Sequence, residues 1–103
     1  MQVYMVEIFL PLARQDGTPQ PADCFTQTRS ELVEHCGGVT IYARAPAEGL
    51  WLDGNEVVAD QVVVFEALDR QYEAEWWQAY KRRLCERFAQ DEVMVRVIRA
   101  TLV

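Results

Sequence analysis

The run Val62-Val63-Val64-Phe65 constrains the fold more than any other segment of this chain. β-Branched and aromatic residues in series favour a strand, and successive side chains of a strand point to opposite faces. Both faces of that strand are therefore apolar, and both need cover. The same doubling recurs toward the C-terminus, where Val93, Val95 and Val97 oppose Met94, Ile98 and Leu102. It recurs again near the N-terminus, where Val3, Met5 and Phe9 oppose Tyr4, Val6, Ile8 and Leu10.

Between these segments the pattern changes period. Val3–Leu10 reads as a first strand ended by Pro11, and Arg14–Ala22, with Gly17, Pro19 and Pro21, reads as a loop. Asp23 is a candidate helix N-cap. After it Phe25, Leu32 and Cys36 fall within about 40° of one another at helical spacing, and Gly37-Gly38 offers the left-handed stop that helices use. Val39–Arg44 forms a second strand, with Val39, Ile41 and Ala43 on one side and Thr40, Tyr42 and Arg44 on the other. Pro46–Gly49 breaks it. Leu50–Val58 then predicts a small hairpin about Asp53-Gly54, and Ala59–Ala67 a third strand. Asp69 is placed to cap a second helix running to about Ala89, whose apolar stripe is Trp77, Tyr80, Leu84 and Phe88. Val93–Leu102 is the last strand.

The 103 residues are thus read as one α+β domain spanning residues 1–103. The order β-α-β-β-α-β is ferredoxin-like: a four-stranded antiparallel sheet with two helices on one face. Those helices cover one side only. A bare opposite side would expose roughly ten large side chains, each worth about 1.5–3 kcal/mol on full burial, beyond what a monomer tolerates. A second copy offering the same face is the expected cover, which predicts a homodimer. The rival cover is internal, from the loop Arg14–Ala22 and the hairpin around Trp51.

Composition narrows the partners. Ten Lys and Arg stand against sixteen Asp and Glu, a formal charge of -6, which disfavours nucleic acid and anionic membrane surfaces. Met1–Leu10 has Glu7 inside it and no basic region before it, so it does not read as a signal peptide, and no apolar run is long enough to span a bilayer. Cys24, Cys36 and Cys85 are odd in number and lack a C-x-x-C spacing, which predicts reduced thiols and a cytoplasmic location.

Glu31-Leu32, Gly37-Gly38-Val39-Thr40, Arg44-Ala45-Pro46-Ala47-Glu48-Gly49-Leu50-Trp51, and Trp76-Trp77 followed by Phe88-Ala89-Gln90 carry a resemblance. With the element order, they make the chain similar to the dimeric α+β barrel superfamily, and most like a group of small uncharacterised bacterial proteins within it. The resemblance implies two ferredoxin-like sheets face to face. It does not select an activity, because the superfamily includes cofactor-free monooxygenases of polyketide-like aromatics, haem-degrading enzymes, muconolactone isomerases and stress-response proteins.

Candidate chemical residues are few. His35, the sole histidine, lies about 80° from the centre of its helix's apolar stripe. It is a candidate general base or haem ligand at a cavity edge, or a helix-end cation paired with Glu31 four residues earlier. Glu7, a carboxylate within an apolar strand, is a candidate acid/base group, or the structural partner of Arg96 or Arg99. Tyr42 and Arg44, with Thr40, form a polar row suited to orienting a ligand or to meeting solvent. Asp60 and Glu66 read first as strand-end residues. Trp51 is a candidate lid, and Trp76, beside Tyr72 on the helix flank, a candidate aromatic wall. One histidine among scattered carboxylates makes a poor metal site, no cofactor motif is present, and the adjacent His35 and Cys36 diverge by about 100°.

The functional expectation is a homodimeric domain holding a small apolar or aromatic organic molecule between its sheet and helices. As an enzyme it would perform cofactor-independent oxygenation or isomerisation. The acid/base would be His35 or Glu7, with Tyr42 and Arg44 orienting the ligand and Trp51 and Trp76 walling it. The alternative is a non-catalytic dimeric interaction or structural protein. The state of the space between sheet and helices separates the two readings.

Overall fold

Strand β1 (Gln2–Pro11) alternates as its sequence requires: Val6, Ile8 and Leu10 are buried, whereas Met5, Glu7 and Phe9 on its other side are only partly covered. The structure, a computed structural model, describes the backbone of residues 1–103 and every side chain except those of residues 43–47, 51, 58 and 59. After β1 come helix α1 (Ala22–Cys36), strands β2 (Thr40–Asp53) and β3 (Glu56–Asp69), helix α2 (Ala74–Arg87) and strand β4 (Val95–Thr101). The four strands form one sheet in the order β2-β3-β1-β4. All its pairings are antiparallel, with Ile8 opposite Phe65 on one side and Val95 on the other.

Both helices pack on the same side of the sheet. Leu32 from α1, and Trp77, Tyr80 and Leu84 from α2 with Phe88 just beyond it, join Val6, Ile8, Leu10, Val63, Phe65 and Val93 in one buried cluster. The stripe Trp77, Tyr80, Leu84 and Phe88 is buried throughout, while Phe25 and Cys36 of the first stripe pack at its margin. Helix α1 ends at Gly37, which takes φ +86° and donates its N–H to the Val33 carbonyl at 2.8 Å. That is the left-handed stop expected there.

Three local expectations need correction. The hairpin expected at Leu50–Val58 is not separate: it is the far end of one long β2–β3 hairpin, paired from Thr40↔Glu66 out to Asp53↔Glu56. The Pro46–Gly49 break adjoins a register shift between Tyr42 and Ala47, and such an irregularity lets a strand pass a proline without ending. Asp23 is not the N-cap of α1; that position is Pro21. Asp23 sits inside the first turn, near the positive end of the helix. Asp69 does not cap α2, which starts five residues later after Glu73. Its carboxylate instead accepts the Gln71 N–H at 3.0 Å and the Trp77 indole N–H at 2.7 Å.

The expected loop at Arg14–Ala22 is partly an ordered turn. Ala13 bridges Pro19, Gly17 takes φ +86°, and Asp16 accepts both the Thr18 N–H and its hydroxyl. Those bonds hold the Asp16 carboxyl below its usual range.

Candidate functional site

On the helix side the polar and aromatic groups form a closed stack. The His35 ring lies flat on Trp76, with centroids 3.4 Å apart and planes 3° from parallel, and it meets Trp77 edge-on at 5.8 Å. Trp76 also stacks on Tyr80 at 5.0 Å and meets Trp77 edge-on at 4.8 Å. Nε2 of His35 is 3.7 Å from the buried Asp69 carboxylate. Glu31 is not its partner. Glu31 is engaged by Arg87 at 2.7 and 2.9 Å and by the Tyr80 hydroxyl at 2.9 Å, which joins the two helices. Burial, then hydrogen bonding to Glu31, raises the Tyr80 pKa, so its hydroxyl stays a donor. Burial, then the negative charge of Asp69, pushes the Cys36 thiol up to about 11, which removes it as a thiolate nucleophile at neutral pH.

The opposite side of the sheet carries a different set. Arg96 Nε donates to Glu7 Oε1 at 2.8 Å, and its guanidinium lies 5.1 Å from the Phe9 ring centroid. Glu66 is the β3 residue opposite Glu7. Thr40 and Tyr42 continue that row on β2, opposite Glu66 and Val64. At one end of the face is a hollow of about 560 Å³. Phe9, Pro11, Leu50, Val62 and Met94 line it with apolar surface, and Asp60, Asp91, Glu92 and Arg96 supply its charges. Two smaller grooves, of about 290 and 330 Å³, adjoin Gly37-Gly38 and the Phe25–Ile41 margin.

The sequence-predicted residues are therefore divided. His35 and Trp76 meet on the helix side, while Glu7 and Tyr42 lie on the other, so the sheet separates the two acid/base candidates. The side chains of Arg44 and Trp51 lie outside the described residues. Tyr72 does not join Trp76; it precedes α2 and stacks on Tyr4 at 4.7 Å. The expected ligand space between sheet and helices is occupied by Val, Leu, Phe, Trp and Tyr side chains. That packing fills the centre of the space, and the groove of about 330 Å³ lined by Phe25, Arg29, Ile41, Val63 and Phe65 lies at its margin.

Sequence reasoning missed the residues that shape the hollow. Only the long hairpin brings Leu50 and Asp60 near Phe9 and Met94. Among the described residues, no three His, Cys, Asp or Glu side chains group to hold a metal ion. No helix is long and apolar enough to cross a membrane.

The sequence matches no protein-family model and no curated protein. Solved structures are similar in fold, among them these two. One is a phage SAM lyase in complex with S-methyl-5'-thioadenosine, at TM-score 0.64 and 17% identity, covering 93% of this chain and 80% of that one. The other is the divalent cation tolerance protein Cut A1 from Thermus thermophilus, at TM-score 0.63 and 16% identity, covering 95% of this chain and 82% of that one. At that level of identity the likeness is one of fold alone: the chain is a small mixed α+β domain with two helices and a largely antiparallel sheet.

Proposed function

We propose that this chain is a self-associating, non-catalytic ferredoxin-like domain whose open sheet face is covered by a second copy. The observation that carries the reading is exposed apolar surface in the wrong place for a monomer. Met94 is 57% and Ile98 42% exposed on the open face. Met5, Phe9, Val62, Val64 and Leu68 lie partly covered beside them. A self-complementary partner removes that surface from water, and each large side chain so buried contributes about 1.5–3 kcal/mol. The packed centre of the space beneath the helices supports the non-catalytic reading. The two-fold barrel arrangement and the kinship with small uncharacterised bacterial proteins belong to the same proposal, supported by the residue pattern. A cytoplasmic location is consistent with three unpaired cysteines.

Sedimentation equilibrium at micromolar concentration tests it. The expected mass is twice the 11.9 kDa of one chain, and Ile98→Glu or Met94→Glu should shift it to a single chain. A well-behaved monomer of the unaltered protein would sink the proposal. A larger closed ring would keep self-association and overturn the two-fold arrangement.

A second reading, that the domain also holds a small organic molecule, is favoured by the hollow at the end of the open face. Its volume lies within the usual range for ligand sites, about 300–1,000 Å³.

A further inference from the structure

We propose that this hollow takes a small apolar molecule bearing a positive charge, an amine or quaternary ammonium with an aromatic or alkyl body. The proposal rests on the second reading above and names its ligand class. The apolar part of the argument is the lining. Phe9 and Pro11 of β1, Val62 of β3, Leu50 of the hairpin and Met94 before β4 give hydrocarbon surface from four segments of one chain. A polar solute would find few partners on that surface, whereas an aromatic ring or alkyl group would exchange water for close contact.

The charge follows from the rim. Asp60, Asp91 and Glu92 face one cation, Arg96. Arg96 is partly engaged, with Nε bonded to Glu7 and its guanidinium over the Phe9 ring. Glu92 pairs with Lys81. Asp60 and Asp91 have no ion pair among the described residues. An anionic ligand would meet the exposed carboxylates of Asp60 and Asp91, which repel it. A cation would answer them, and the net charge of -6 draws it in. The position of Arg96 over Phe9 shows that this face of the sheet already places a cation against an aromatic ring, a favourable pairing in its own right.

All the lining residues come from one chain, but Phe9, Val62 and Met94 also lie on the face the proposed partner covers, so binding is followed both in the full chain and in a single-chain variant. Phenethylammonium, phenethyl alcohol and phenylpropionate, three probes of similar shape and different charge, are titrated against the full chain and against Ile98→Glu with amide NMR detection. The expected result is that the ammonium shifts the amides of Phe9, Asp60, Asp91 and Met94. It should bind about fivefold tighter than the alcohol, the scale of one partly exposed charge interaction. The double variant Asp60→Asn, Asp91→Asn should erase that preference while leaving the remaining spectrum in place. If the alcohol or the propionate binds there as well as the ammonium, the ligand class is overturned and the second reading survives. If no probe shifts those amides, both fall, whatever mass sedimentation reports.

Discussion

Arg87 holds Glu31 through two parallel bonds, Nη1 to Oε1 at 2.7 Å and Nη2 to Oε2 at 2.9 Å, and so joins the last turn of α2 to the middle of α1. The same Arg87 nitrogen that reaches Oε1 also donates to the Thr28 hydroxyl at 2.8 Å. The Arg87 side chain is only 9% exposed and that of Glu31 25%, so the pair is largely out of water and its partners are not readily replaced by solvent.

Glu31→Ala should therefore destabilise the fold by about 2–3 kcal/mol, because it leaves a nearly buried guanidinium without its carboxylate. Urea unfolding at neutral pH and fixed protein concentration measures this. A loss within a few tenths of a kcal/mol would place the pair among ordinary surface ion pairs.

The same pair sets a pH dependence. Burial opposes the charge on Glu31, but the hydrogen bonds from Arg87 and Tyr80 and the nearby positive charge outweigh it, and its pKa is lowered from 4.5. A depressed folded-state pKa means stability that is present above the unfolded value and lost as pH falls through the folded one. The stability difference between the unaltered chain and Glu31→Gln should stay level from neutral pH down to that unfolded value. Below it the difference should shrink and then vanish. Thermal melts across an acid series give the curve, and a difference independent of pH would contradict the assignment.

Asp69 and Trp77 make a second buried contact, with the indole N–H at 2.7 Å from the carboxylate. Asp69→Ala strands that donor in the core and should cost about 1–3 kcal/mol. Asp69→Asn, which keeps an acceptor oxygen, should cost less. Denaturant midpoints rank the two variants, and equal losses would mean that the bond contributes little.

The two helices use the same stop with different residues. Gly37 takes φ +86° after α1, and Ala89 takes φ 52° after α2. A side chain in that region costs about 1 kcal/mol, which glycine avoids. Gly37→Ala should lower stability by about that amount, and Ala89→Gly should raise it by a similar step. Shifts in midpoint of the same sign for both would refute the explanation.

What the chain reveals locally and what it hides follow from range. Trp77, Tyr80, Leu84 and Phe88 recur at the helical period, so their shared burial was legible without coordinates; so was the glycine stop at Gly37. The doubled apolar character of Val62–Phe65 already required cover on both sides of a sheet. Periodicity reports which residues share a face, but not which distant group meets them. It left Glu7 with Arg96 or Arg99 as partners, and register selected Arg96, across 89 positions of sequence. Arg99 bonds Gln2 instead. Glu31 stood four residues before His35, yet the approach of α2 gave it to Arg87 and left His35 against Trp76. The hollow is the extreme case: its walls come from four segments, and no local pattern brings Asp60 and Asp91 to the same hollow. Side-chain periods are properties of single elements, whereas strand register and helix packing arise only when all the elements fit together. That fitting placed Glu7 and His35 on opposite sides of one sheet.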